Sequence, residues 1–383
     1  MKTENLTKRI IKNANECALI LGNGINNYAE TGCSWLELLK QLHELYLPNT
    51  PFRGIDKGIS YTEFFDALEI SILEHNKAFE EREFKPINFH LDICRSREIS
   101  YEIQNFSLKE KNTHKTETSN LRQLVKSFNK ENVKFKEFGG INLVLAMSNL
   151  GGKLNDAVNS ILIKHICQTM AKWKFSEKHY RLVNFAQTYN IPILTTNYDN
   201  LLAKSINANL FDFSKGKVDE TLPISCCYTT QSNPDINKFA IWHPNGMLKY
   251  PKSILIGLSH YMRNLEKIRS LIIPNNVYKA ELFEDIAFGT NAIKNTWINL
   301  IFSKNLYIVG LSLDTDEVLI RWLLLERAKL FSLYPKMRKD CWFVITKRDY
   351  HKLSLGKKYF FKSIGCNIIV MDNYDSMYNA ISI

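Results

Sequence analysis

One stretch limits the fold more than any other: ILTTNYDNLL, from Ile193 to Leu202. Apolar Ile191, Ile193 and Leu194 stop abruptly at Thr195, Thr196, Asn197, Tyr198 and Asp199, and apolar residues resume at helical spacing with Leu201, Leu202 and Ile206. That is the pattern of a buried strand turning straight into a helix. In an open parallel sheet the loops beyond the carboxyl ends of the strands are where ligands bind, so Asn197 and Asp199 stand where an amide and a carboxylate would face a crevice. A plain helix start, with Asn197 or Asp199 as N-cap, explains the same residues. What separates the two readings is whether other strand ends converge there.

They recur along the chain. CALILG, Cys17 to Gly22, runs into GNGINN, where Gly22-x-Gly24 begins a dinucleotide-binding fingerprint whose third glycine is replaced by Asn27. The run Phe239, Ile241, Trp242 ends at His243, followed by the turn signal Pro244-Asn245-Gly246. LYIVG leads into Gly310-x-Ser312 and then Asp314 and Asp316 ahead of a long apolar helix, and CWFVIT and CNIIVMD follow, each before a helix. Ser253–Ile256 also reads as a short strand. Repeated strand–helix alternation predicts an α/β fold, a doubly wound Rossmann-like parallel sheet. The whole chain, 1–383, reads as one domain. It carries an insertion at 48–152 that lacks strand–helix alternation and is mostly helical, with helices over Tyr61–Glu83 and Leu121–Asn129 and an exposed polar loop over Ser107–Asn120. Leu36, Leu39, Leu42 and Leu45 predict a buried face on the helix after Ser34, and His165 reads as packed on a helix over Asn155–Lys172. The polar stretch 207–237 holds no predicted strand.

A net charge of +11 on 383 residues suits a solvated basic surface, an acidic partner or a polyanionic ligand, with direct nucleic-acid binding a less favoured reading. The eight cysteines show no C-x-x-C spacing and several sit in apolar strands, which suits a reducing compartment and predicts no zinc site. The first residues lack the apolar core of a signal peptide and no apolar run is long enough for a membrane span, so a cytoplasmic protein without membrane contact is expected.

GNGIN, TTNYD, the histidine of HPNG and VGLSLDTDE occur in that order at strand ends. With these motifs the chain resembles the sirtuin-like family, in particular the NAD-hydrolysing branch of bacterial anti-phage defence systems. The resemblance covers roughly 15–45 and 176–383. It implies that Gly22, Asn23, Gly24 and Asn26 hold the NAD pyrophosphate side, with Thr195 and Thr196 beside them. Gly310, Ser312 and Asp314 would serve the adenosine side, and Asn197, His243 and Asp199 the catalysis. Asn197 would bind the ribose or the attacking water, His243 would take a proton from water or a ribose hydroxyl, and Asp199 would orient either partner. Asn23 stands where many relatives have alanine, and Pro244-Asn245 separate His243 from the glycine that usually follows it. The four-cysteine zinc module of protein deacylases has no counterpart around Cys226-Cys227. The resemblance therefore implies NAD as a substrate and cleavage of its nicotinamide–ribose bond, within a defence that depletes NAD. It also implies an oligomer or hetero-complex with a companion, either a helicase-type ATPase or a nucleotide-pyrophosphatase-like subunit. A catalytically silent nucleotide-sensing or scaffold subunit is the alternative.

Overall fold

The computed structural model describes residues 3–32, 35–47, 60–82, 154–214, 216–277 and 293–383. Of the expected insertion, the helix over Leu121–Asn129 and the loop over Ser107–Asn120 lie outside them, as does Ser34, a candidate cap for the helix that follows it. The chain divides into two compact units: one comprises Met1–Trp35, Ser60–Thr62 and Cys167–Ile383, the other Leu36–Ile59 and Glu63–Ile166.

The first unit is built on an eight-stranded sheet in the order β3-β4-β5-β2-β1-β6-β7-β8. The strands are β1 Cys17–Leu21, β2 Ile193–Thr195, β3 Asn209–Asp212, β4 Cys226–Thr229, β5 Ile241–Trp242, β6 Asn305–Val309, β7 Cys341–Thr346 and β8 Cys366–Met371. Six of them, β5-β2-β1-β6-β7-β8, pair in parallel. Counted in chain order these six run third, second, first, fourth, fifth, sixth, which is the doubly wound dinucleotide-binding order, and its switch point lies between β1 and β6. The sheet is not purely parallel, however. β3 and β4 add an antiparallel hairpin beyond β5, in a stretch where the sequence predicted no strand.

Side chains along β1 alternate between two cores. Ala18 and Ile20 join one apolar cluster, while Cys17, Leu19 and Leu21 join the other. β6 repeats this, with Leu306 and Ile308 on the first side and Tyr307 and Val309 on the second. Both faces are thus covered, which explains why these strands read as continuous apolar runs rather than alternating ones. Helices Leu258–Ile272, Trp297–Ser303 and Val318–Leu333 cover the first face. Helices Thr3–Lys12, Glu177–Thr188 and Tyr374–Asn379 cover the second.

Two local expectations change. Residues 254–256 join no strand, because a 3-10 turn at Pro251–Ser253 diverts the chain and Leu255 N–H donates instead to the Asn245 carbonyl at 2.9 Å. In the second unit, helix Trp35–Tyr46 buries Leu38, Leu39, Leu42 and Tyr46, whereas Leu36 is exposed and Leu45 only half-buried. The face follows the 3.6-residue period, and the large Tyr46 ring takes the place assigned to Leu45. The same unit contains most of helices Tyr61–Arg82 and Leu154–Ala171, and His165 meets the Tyr46 ring edge-on at 6.3 Å.

Candidate active site

The loops after β1 and β6 meet at the switch point and are tied to each other. Gly24 N–H donates to the Gly310 carbonyl at 2.9 Å, and Gly22 N–H to the Val309 carbonyl at 3.4 Å. A Cβ on Gly22 would lie 2.7 Å from the Gly310 carbonyl oxygen, and one on Gly24 would lie 2.7 Å from the Gly310 Cα. Gly310 has φ +64° and packs on the Tyr378 hydroxyl. The glycines are therefore required for the close approach of the two loops, and the Gly22 and Gly24 amides are already engaged.

A cleft of about 690 Å³ opens above this junction. Of the residues singled out in the sequence, Asn23, Gly24, Thr196, Asn197, Gly310, Ser312 and Asp314 line it. Gly22, Asn26, Thr195, Asp199 and His243 do not line it; they stand behind its wall. Thr195 holds the turn, its Oγ1 accepting Asn197 N–H at 3.2 Å, and Thr196 N–H extends the ladder to the Leu21 carbonyl at 2.9 Å. Asn197 Nδ2 makes only a long contact, 3.5 Å, with the Gly22 carbonyl, so its amide retains bonding capacity toward the cleft. Asp314 pairs with Lys357 at the opposite rim.

Asp199 is fixed from two sides. Its Oδ1 accepts Leu201 N–H at 3.0 Å at the start of helix Leu201–Ser205, and its Oδ2 accepts Asn26 Nδ2 at 2.9 Å. Asn26 also reaches Asn23 Oδ1 at 2.8 Å, and its own Oδ1 meets His179 Nε2 at 2.9 Å. His179 Nδ1 accepts Ser176 N–H at 3.1 Å, so Nδ1 carries the lone pair and Nε2–H is the donor to Asn26. A buried relay thus runs from His179 through Asn26 to Asp199. The sequence reading missed His179, whose i+3 spacing from the cap Ser176 was the only available signal. Burial raises the Asp199 carboxyl above the usual carboxylate range, against the hydrogen bonds from Asn26 and Leu201.

His243 lies just past β5, packed edge-on against Tyr228 at 5.6 Å. Its Nδ1 is 2.9 Å from the Asn197 backbone carbonyl, which can only accept, so Nδ1 carries the hydrogen. Nε2 is left with its lone pair, buried and without a partner. Burial lowers the ring's pKa to about 4, so at neutral pH it is an uncharged imidazole with an unused acceptor. Asn197 and His243, singled out separately in the sequence, are thus joined by a direct bond.

Burial likewise lowers His179 and His260 to about 4. An unfolded chain protonates all three below about pH 6.5, whereas the folded chain does not until near pH 4. Stability is therefore fully present above about pH 6.5 and falls steadily as pH drops toward 4. Thermal melts across that range should show this slope, and His179→Gln should flatten it.

The strand order and the crevice define a nucleotide-binding α/β fold. A family model of the SIR2-like domain matches residues 192–364, from the start of the pivotal strand to just before β8. The match supports a sirtuin-like family, whose domains bind and act on NAD. It spans a little under half of the chain and leaves out β1 and its glycine loop. No curated protein matches the chain. Among the described residues, no group of His, Cys, Asp or Glu is arranged to hold a metal, and no helix is long and apolar enough to cross a membrane.

Proposed function

We propose that this chain hydrolyses the nicotinamide–ribose bond of NAD, releasing nicotinamide and ADP-ribose, and serves as an NAD-depleting effector in anti-phage defence. The observation that carries this reading is the Asn197–His243 pair: a neutral imidazole with a free Nε2, locked to the backbone of a residue whose amide faces the cleft. The cleft volume falls in the range of small-molecule sites. In the reaction the C1′–N bond breaks with its electron pair going to nicotinamide, water supplies the new C1′–O bond, and a proton is released. Asn197 hydrogen-bonds the ribose as positive charge develops on the sugar ring, and His243 Nε2 accepts from a ribose hydroxyl once the wall that covers it in this structure gives way to the bound sugar. Asp199, tied to Asn26 and Leu201, holds the TTNYD turn in shape. The SIR2-like match supports NAD as the ligand.

The defence role rests on the resemblance of the four motifs. A chain that drains NAD must be restrained until needed, which favours an oligomer or a complex with a companion ATPase or pyrophosphatase-like subunit. The +11 charge supports docking onto an acidic surface. The six free cysteines among the described residues support a cytoplasmic setting.

The test is the loss of NAD and appearance of nicotinamide with purified protein, alone and with lysate from phage-infected cells. His243→Ala should slow turnover by about 10²–10⁴-fold and Asn197→Ala by about 10²–10³-fold, both in folded protein. The position of His243 behind the cleft wall favours a second reading, a sensor that binds NAD without consuming it. Stoichiometric NAD binding with no nicotinamide release under either condition would establish the sensor instead.

A further inference from the structure

Cys341 opens β7 and Cys366 opens β8. The two residues are direct partners in the parallel ladder, and their Sγ atoms stand 3.2 Å apart. Neighbouring strands lie about 4.8 Å apart, inside the Cα spacing that a disulfide accepts. Both side chains enter the first apolar cluster, so they leave the sheet on the same face. The Arg327 guanidinium lies at this end of the sheet, on the carbonyls of Lys339 and Asp340 that precede β7, and its charge acts on both thiols. The hydrogen bond shared with Cys366, and then Arg327, hold the Cys341 thiol below its usual range against burial. Burial instead pushes up the thiols of Cys17, Cys167, Cys226 and Cys227. Cys226 and Cys227 are neighbours along β4 and so point to opposite faces of the sheet.

Two thiols in direct contact beside a guanidinium are suited to oxidation, one as attacking thiolate and the other as resolving thiol. We propose that Cys341 and Cys366 are a reversible redox pair, closed to a disulfide by hydrogen peroxide. The Cys341 thiolate attacks one peroxide oxygen, the O–O bond breaks and hydroxide leaves, which gives a sulfenic acid. The Cys366 sulfur then attacks the Cys341 sulfur, the S–O bond breaks, and the oxygen departs with the Cys366 proton as water. Two thiols are oxidised and the peroxide is reduced to two waters. Cys341 is 1% exposed and Cys366 6%, so peroxide enters in brief local openings of β8, which lies at the margin of the sheet and pairs with β7 alone. A bond of this kind is transient in a reducing compartment, where disulfides act as sensors rather than staples. β8 leads into helix Tyr374–Asn379, whose Tyr374 and Met377 line the cleft. Oxidation therefore braces one wall of the cleft from the far end of the sheet.

The experiment treats the full chain, freshly reduced, with hydrogen peroxide and maps its cysteines by peptide mass without reduction. The folded protein should lose two hydrogens and yield a peptide joining Cys341 to Cys366, and dithiothreitol should restore both thiols. Amide exchange along β8 should slow roughly 100-fold in the oxidised form, as a bond bridging 25 positions implies. Cys366→Ala should leave Cys341 as a sulfenic acid that dimedone captures. The wild-type map decides the matter even where that variant does not fold, and none of these readouts depends on a reaction with NAD. In urea the same treatment should join cysteines without preference, which shows that the folded contact makes the choice. Peroxide that leaves both thiols free in folded protein, or that joins them no more often folded than unfolded, overturns the proposal. So does a linked form whose β8 amides exchange as fast as before.

Discussion

Gly246→Ala is expected to cost the fold about 3 kcal/mol or more, from backbone strain and overpacking together. Gly246 has φ +103°, a conformation that a side chain rarely adopts. An added Cβ would lie 2.2 Å from the Ser253 carbonyl oxygen, 2.5 Å from the Ser253 carbonyl carbon and 2.7 Å from Ile254 N. These are backbone atoms and cannot rotate aside. Gly246 N–H also closes the turn onto the His243 carbonyl at 3.0 Å, so relief by backbone movement would shift His243 and Asn245 together. Gly32→Ala is the matched control: φ is +69°, yet nothing lies within 4 Å of the new carbon. Strain alone should cost it about 1 kcal/mol. Urea melts of the two variants, compared with wild type, separate steric exclusion from conformational preference. Equal losses in the two would show that the Ser253 contact is unimportant.

Arg327→Met should destabilise by a similar amount, about 3–5 kcal/mol. Arg327 is 2% exposed on helix Val318–Leu333. Its Nη2 donates to the carbonyls of Lys304 at 3.0 Å, Lys339 at 3.0 Å and Asp340 at 3.2 Å. The guanidinium carbon stands 4.7 Å from the centre of the Phe331 ring. One side chain thus fastens the end of helix Trp297–Ser303 and the entries to β6 and β7. Methionine preserves much of the packing but removes the guanidinium donor from all three carbonyls, of which Asp340's keeps the Leu306 N–H at 2.9 Å. Lysine should recover only part of the loss, because a single ammonium lacks the planar fork and its stacking. The measurement is the denaturation midpoint, with an unchanged slope confirming that the native state remains compact. A loss below about 1 kcal/mol would mean that water replaces the guanidinium at these carbonyls.

Sequence reasoning reached what burial on both faces makes conspicuous. Strands β1, β6, β7 and β8 are apolar runs that stop at turn residues, and the 3.6-residue spacing of Phe64, Phe65, Leu68 and Ile72 gives helix Tyr61–Arg82 to within one residue. The hairpin escaped because it lies at an edge. β3 shows the burial of a strand half open to solvent, and its residues Asn209–Asp212 carry no continuous apolar signal. Ser253–Ile256 misled for the opposite reason. It is apolar and buried, as a strand would be, but it packs as irregular chain against the turn that holds Asn245. In the site, the loop positions of Asn197, Gly24 and Gly310 follow from strand ends alone. Glu317, which also lines the cleft, was invisible because an acidic residue before a helix is ordinary. Only its position in three dimensions, beside Asn245 and Asp316, sets it apart. His179 carries no signal in the sequence beyond its spacing from Ser176, and only the fold brings it to Asn26.

β5 contributes only Ile241 and Trp242, yet it is bonded on both flanks, to β2 on one side and to β4 on the other. A strand this short at a free margin would fray in isolated local openings. Flanked on both sides, it separates only when its neighbours do, so the amide protons around Trp242 should exchange with solvent at the rate of whole-unit unfolding. The imidazole that follows Trp242 inherits that constraint. Warming or mild denaturant should therefore remove the candidate site in one step together with the sheet, and no loosened intermediate should keep His243 bonded to the Asn197 carbonyl.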